Sequence, residues 1–267
     1  ASNGGGLAKF AGPAMLSADF SGLGCSMTTL LFSSFQDPPE LWLPALRAEM
    51  PDVEVRVDPE VGDPAEIDYA LVYWPPKGLL ASLPNLRAIL SIAAGLPIRA
   101  FEGWLGSTAA IVRAMPNTPA AIGQGITVLC ANRQVDEAQR GASTRLLEAV
   151  GQVAWIDDEA DMDAVTAVSG SGPAYVFLLI ECLTAAGIEA GLDPELAARL
   201  ATATVAGAGA LAQESDDDAR TLRQNVTSPG GTTAAALEVL MGSDGLQPLM
   251  TRAVAAATRR GRELAQG

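Results

Sequence analysis

The spacing of apolar residues changes once along this chain, at Asp157-Asp158-Glu159. Ahead of it, short apolar runs of strand type alternate with helical patterns. Strands are expected at residues 29–33, 53–57, 69–74, 88–92, 110–114, 125–131 and 153–156. Helices are expected between them at 39–50, 97–105 and 136–150. Strands separated by helices pair in parallel, and their two faces are covered by those helices. After Glu159 no strand pattern recurs. Residues 161–168, 173–190, 193–213, 217–226, 232–242 and 245–265 all carry helical spacing. The expected fold is therefore α/β, a largely parallel Rossmann- or flavodoxin-like sheet, followed by an all-α domain. The boundaries are 28–160 for the sheet domain and 161–267 for the helices. Residues 1–27 are rich in Gly, Ala and Ser without a clear period and read as a poorly ordered or foreign tail, with Met27 resembling a natural start.

At 267 residues the chain can bury two cores. A formal charge of −14 argues against nucleic-acid binding, which needs clustered Lys and Arg. The chain has no histidine, so any mechanism that needs imidazole as base, nucleophile or metal ligand is excluded. Cys25, Cys130 and Cys182 form neither a zinc spacing nor a CxxC pair, so no metal is expected and a reducing, cytoplasmic setting is. No membrane span is expected. Residues 174–183 are very apolar but hold Glu181 and read as a helix buried in a protein interface. The Ala- and Gly-rich helix around 197–210 is apolar nearly all round, which calls for burial on several sides and points to a dimer.

Two glycine-rich segments carry the chemistry: Ser169-Gly170-Ser171-Gly172-Pro173-Ala174-Tyr175 and Ser228-Pro229-Gly230-Gly231-Thr232-Thr233. Each is expected to be a loop opening a helix, where first-turn N–H groups and the helix dipole favour an anion. Taken singly, either one also reads as an ordinary helix start with Ser, Thr and Gly as caps.

The run Asp163-Ala164-Val165-Thr166-Ala167-Val168-Ser169-Gly170-Ser171-Gly172-Pro173-Ala174-Tyr175 and the run Asn225-Val226-Thr227-Ser228-Pro229-Gly230-Gly231-Thr232-Thr233 resemble pyrroline-5-carboxylate reductases. So do Met115-Pro116-Asn117-Thr118-Pro119 and Ser91-Ile92-Ala93-Ala94-Gly95, and the likeness spans roughly 91–267. It implies reduction of 1-pyrroline-5-carboxylate to L-proline by NADPH or NADH, in a homodimer or higher homo-oligomer. It also implies that the backbone of Ser228, Gly230, Gly231 and Thr232 holds the substrate carboxylate, while the Thr233 hydroxyl meets the ring nitrogen as the catalytic contact. Ala93, Ala94, Gly95, Asn117 and Thr118 would then lie at the nicotinamide end of the cofactor. A protonated imine is already electrophilic, so hydride transfer to it needs mainly positioning, which a chain without histidine can supply.

The first strand departs from that pattern. A dinucleotide-binding reductase opens with a strand and a GxGxxG turn, whereas here the strand runs into Ser33-Ser34-Phe35-Gln36-Asp37-Pro38-Pro39. Residues 28–91 instead resemble the start of a D-2-hydroxyacid dehydrogenase. The carrying residues are Leu30-Leu31-Phe32-Ser33-Ser34-Phe35, Glu54-Val55-Arg56-Val57, Glu60-Val61-Gly62-Asp63-Pro64, Asp68-Tyr69-Ala70-Leu71-Val72 and Leu83-Pro84-Asn85-Leu86-Arg87-Ala88-Ile89. The chain reads as a chimera joined near Ser91. That family's own reaction needs a His and is excluded. The alternative function is a non-catalytic helical dimer with an α/β cap that binds a small carboxylate. Trp42, Trp74, Trp104 and Trp155 are expected to pack in the core or at its edge, and Lys77 at the surface.

Overall fold

The computed structural model describes residues 28–35 and 38–265; the 1–27 tail lies outside them. Seven strands form one sheet in the order β2-β1-β3-β4-β5-β6-β7. The strands are β1 (Thr28–Ser34), β2 (Val53–Val57), β3 (Tyr69–Tyr73), β4 (Ala88–Ser91), β5 (Ile111–Met115), β6 (Gly125–Ala131) and β7 (Gly151–Trp155). All neighbours are parallel except β5 and β6, which pair antiparallel with Val112 opposite Ala131. Three helices belong to this half: α1 (Pro39–Glu49), α2 (Ile98–Leu105) and α3 (Glu137–Glu148). Successive residues of each strand feed opposite cores. Leu30, Leu90, Val112 and Leu129 meet Trp42 and Leu46 of α1 and Leu146 and Leu147 of α3. Leu31, Ile89 and Ile111 meet Ile98 and Phe101 of α2 on the other face.

The remainder is helical: α4 (Met162–Val165), α5 (Gly172–Glu189), α6 (Pro194–Glu214), α7 (Ala219–Asn225), α8 (Thr232–Leu240) and α9 (Leu246–Leu264). Met162 of α4 is fully buried in the second core and anchors the helical half to the sheet. α5 turns into α6 through Gly191, at φ +100°, and Asp193, whose carboxylate accepts from the Glu195 and Leu196 N–H groups. Gly takes the left-handed position without a Cβ penalty, and the Asp side chain satisfies first-turn donors. Asp218 caps α7 on the Thr221 N–H at 2.7 Å, which holds its carboxyl below the usual carboxylate range.

One expectation is corrected. Residues 169–175 are not a loop. Thr166–Gly170 forms one π turn, closed by Ser171 N–H to the Thr166 carbonyl at 2.8 Å, and it runs from α4 into α5. The wider turn accommodates Pro173, whose missing N–H would break an α ladder, at the first turn of α5, where that donor is unused anyway. Tyr175 ties the turn down by donating its hydroxyl to the Ala167 carbonyl at 3.0 Å. The tryptophans also divide. Trp42 is buried, and Trp155 is half-buried under the Arg140 guanidinium at 3.9 Å. Trp74 is 49% exposed, and Trp104, 56% exposed, lies at the edge of the core with its ring against Phe101 at 5.2 Å.

Within one chain the helical half has almost no core of its own. Phe177, Leu178 and Leu179 on α5, Leu200 and Leu211 on α6 and Leu249 on α9 are all exposed. Contiguous apolar surface of this extent marks an interaction face. The stretch Glu159–Glu189 is also long and apolar enough to cross a membrane by length and composition alone.

Candidate functional site

The carboxyl end of β4 leads into Ala93-Ala94-Gly95. Ala93 is buried, Ala94 is exposed, and Gly95 is left-handed at φ +76°. The turn is held from behind. Pro97 caps α2 without a side-chain bond, and Glu159 supplies one from 61 residues away, its Oε1 accepting from the Ile98 N–H at 2.9 Å. The same oxygen pairs with Nη1 of Arg113 at 2.9 Å. Arg113 is 4% exposed in β5, and its Nη2, like the Ser91 hydroxyl beside it in register, is buried without a partner. Cys130 lies in the same core. Burial pushes its thiol up, Glu159 adds to the effect, and Arg113 opposes it, so it stays protonated and unreactive at neutral pH. Sequence reasoning missed Arg113 and Glu159; the available signal was an arginine inside the apolar strand Ile111-Val112-Arg113-Ala114-Met115.

Asn117 follows β5 and is half-buried. Its Oδ1 accepts from the Ile126 N–H at 3.0 Å, and its Nδ2 donates to the Ser169 hydroxyl at 3.4 Å across to the π turn. Thr118, next to it, opens a 3-10 turn and is exposed. An open cavity of about 610 Å³ lies here, lined by Asn117, Ser169, Tyr175, Phe177 and Met250 among others.

The second glycine-rich segment does form the expected loop. Gly230 is left-handed at φ +68°, and the Gly231 N–H donates to the Ser228 carbonyl at 3.0 Å. No side chain caps α8, and its first helical bond runs from Ala235 N–H to the Gly231 carbonyl. The Thr232, Thr233 and Ala234 amides therefore lie in an open first turn. Ser228, Gly230 and Thr232 are exposed, while Gly231 and Thr233 are half-buried. This cradle does not line the cavity at Asn117 in the same chain. Among the described residues no group of three or more His, Cys, Asp and Glu side chains gathers to hold a metal ion.

The two halves of the sheet edge differ in what they offer a dinucleotide. The ends of β4 and β5 offer a left-handed glycine, two alanines and the fixed Asn117 amide, a surface that admits a flat ring. The end of β1 offers Phe35, and α1 begins with Pro38 and Pro39, which have no N–H to give, and Glu40, which is negative.

A mostly parallel sheet with this edge, joined to an apolar helical segment, defines a two-part α/β protein whose helices expose apolar faces. Comparison with known proteins specifies the kind. The family model for pyrroline-5-carboxylate reductase dimerisation matches residues 159–264. A pyrroline-5-carboxylate reductase of Pseudomonas aeruginosa is 47% identical over 190 residues, 71% of this chain and 69% of that protein. One from Synechocystis is 40% identical over 218 residues, 79% and 80% of the two chains. The solved reductase structure from Coxiella burnetii superposes with a TM-score of 0.78 at 29% identity, covering 90% of this chain and 99% of that one. A Plasmodium falciparum structure with NADP bound gives 0.69 at 28% identity, covering 89% and 98%. The chain belongs to the pyrroline-5-carboxylate reductase family.

Proposed function

We propose that this chain reduces 1-pyrroline-5-carboxylate to L-proline, in the cytoplasm, as a homodimer or higher homo-oligomer. The observation that carries the reading is the uncapped first turn of α8 behind left-handed Gly230, set within the family's dimerisation segment. Its amides suit a carboxylate, and the Thr233 hydroxyl stands one residue into the helix to meet the ring nitrogen. A reduced nicotinamide cofactor, NADPH or NADH, supplies the hydride when bound, and Ala93, Ala94, Gly95, Asn117 and Thr118 are the residues that would hold its nicotinamide end. The cradle and this end line no common cavity in one chain, so we assign the completed site to the paired assembly. The exposed apolar faces of α5, α6 and α9 support that pairing. The match to the family's dimerisation segment covers the apolar stretch through α5 and favours a protein interface over a membrane there.

The test follows consumption of reduced nicotinamide on addition of 1-pyrroline-5-carboxylate. Turnover is expected in the wild type. Thr233→Val is expected to lose about 10- to 100-fold in kcat/KM, the worth of one hydrogen bond to a charged group, with much of it restored in Thr233→Ser. A wild-type dimer that consumes no cofactor, yet gains thermal stability from L-proline, favours instead the carboxylate-binding reading.

The comparisons do not support the N-terminal likeness to D-2-hydroxyacid dehydrogenases or a chimeric origin near Ser91, which rest on the residues of 28–91 and the glycine-free turn after β1 alone. Against it, the family outline of the Coxiella burnetii structure runs through 90% of the chain.

A further inference from the structure

Resting on the reductase reading above, we propose that this chain recognises its donor by the nicotinamide mononucleotide half alone and gains little from the adenylate half.

The strand order β2-β1-β3 places a crevice between the carboxyl ends of β1 and β3. In open α/β sheets this is where a dinucleotide's pyrophosphate rests, on glycine amides and a helix N-terminus. Here two rings stand at that position. Phe35, directly after β1 and 78% exposed, packs edge-on against Tyr73, the last residue of β3, with centroids 5.4 Å apart. The helix that should receive the phosphates begins at Pro38 and Pro39, so two amides are missing from its start. Glu40 in its first turn opposes the dipole that would attract an anion. At the end of β2, Asp58 carries a carboxylate that accepts the Ser33 hydroxyl at 3.0 Å. A carboxylate in that place suits ribose hydroxyls and repels a 2′-phosphate. The aromatic pair and the prolyl, acidic start of α1 thus act against the pyrophosphate, and Asp58 acts against a 2′-phosphate.

The other half meets no such obstacle. Gly95 turns at the end of β4, and Asn117 is fixed on both sides by Ile126 and Ser169. A hydride passes from the nicotinamide ring to the imine carbon, the ring nitrogen keeps its proton as proline forms, and the donor leaves oxidised. None of this involves the adenylate.

The experiment compares reduced nicotinamide mononucleotide, NADH and NADPH as donors for the intact oligomer. In parallel, ADP-ribose and 2′,5′-ADP are titrated by isothermal calorimetry against the intact oligomer. The three donors are expected to agree in kcat/KM within about threefold, and neither adenylate fragment is expected to saturate by about 5 mM. A preference of about 100-fold or more for NADH or NADPH over the mononucleotide, or a fragment saturating below about 0.1 mM, overturns the proposal. Should no donor support turnover, the reductase reading fails, and the fragment titrations still decide the adenylate claim by themselves.

Discussion

Gly151→Ala is expected to leave no soluble folded protein. Gly151 opens β7 at φ +141°, where L side chains are strained, and it pairs with Gly125 at the start of β6. A Cβ there would collide with the Gly125 carbonyl oxygen and with its carbonyl carbon and nitrogen, all main-chain atoms. The Gly125 N–H is already bonded to the Val150 carbonyl at 3.1 Å, which ties the two strands together at this point. The loss should exceed about 4 kcal/mol, in the range that diagnoses a packing conflict. Gly141→Ala is the control. It lies on the exposed side of α3 with nothing within 4 Å of its Cβ position, so it should stabilise by about 0.5–1 kcal/mol. The check is the soluble fraction on expression, followed by thermal unfolding of whatever remains soluble.

Glu159→Ala is expected to cost about 3 kcal/mol, and Glu159→Gln about half as much. Glu159 neutralises Arg113, whose side chain is 5% exposed, and it caps α2 through the Ile98 N–H. Alanine removes both functions and leaves a buried guanidinium unpaired. Glutamine keeps an oxygen for the amide and loses only the charge. The Glu159 side chain is itself 29% exposed, so water partly relieves the loss, and the figure sits at the low end for a broken buried pair. Denaturant midpoints of the two variants should fall in that order. The same carboxylate secures the turn after β4, so the surviving Glu159→Gln protein should show a raised KM for the nicotinamide donor with kcat less affected. Equal midpoints for wild type and Glu159→Ala would show that the pair carries no stability.

Much of the fold could be read from residue pattern. Val53–Val57 and Gly125–Ala131 form strands at the expected bounds because each is a β-branched or apolar run closed by turn residues. The break between the expected helices 173–190 and 193–213 is equally legible, since Gly191 ends one helix, Asp193 caps the next and Pro194 takes its first position. The π turn was not legible. Gly-Ser-Gly-Pro argues locally for a break, and only tertiary contacts, Tyr175 on Ala167 and Met115 against Gly170, keep it helical. Trp74 was read as core or edge because it ends an apolar strand; its backbone turns left-handed at φ +47°, and the residue is 49% exposed. The turn that opens α8 was legible because its residues are contiguous. The Arg113–Glu159 pair spans 46 residues and could not be paired from spacing. The apolar faces of α5 and α6 were visible as pattern, and one chain leaves them uncovered.

The central claim is that the α8 first turn holds the carboxylate of a five-membered imino acid. Crystals of the oligomer grown with L-proline measure this directly. The account predicts the proline carboxylate within hydrogen-bond distance of the Thr232 and Thr233 amides, and its ring nitrogen against the Thr233 hydroxyl. Proline bound elsewhere, with the Ser228–Thr233 turn sealed against the partner and no room left for a guest, would contradict it.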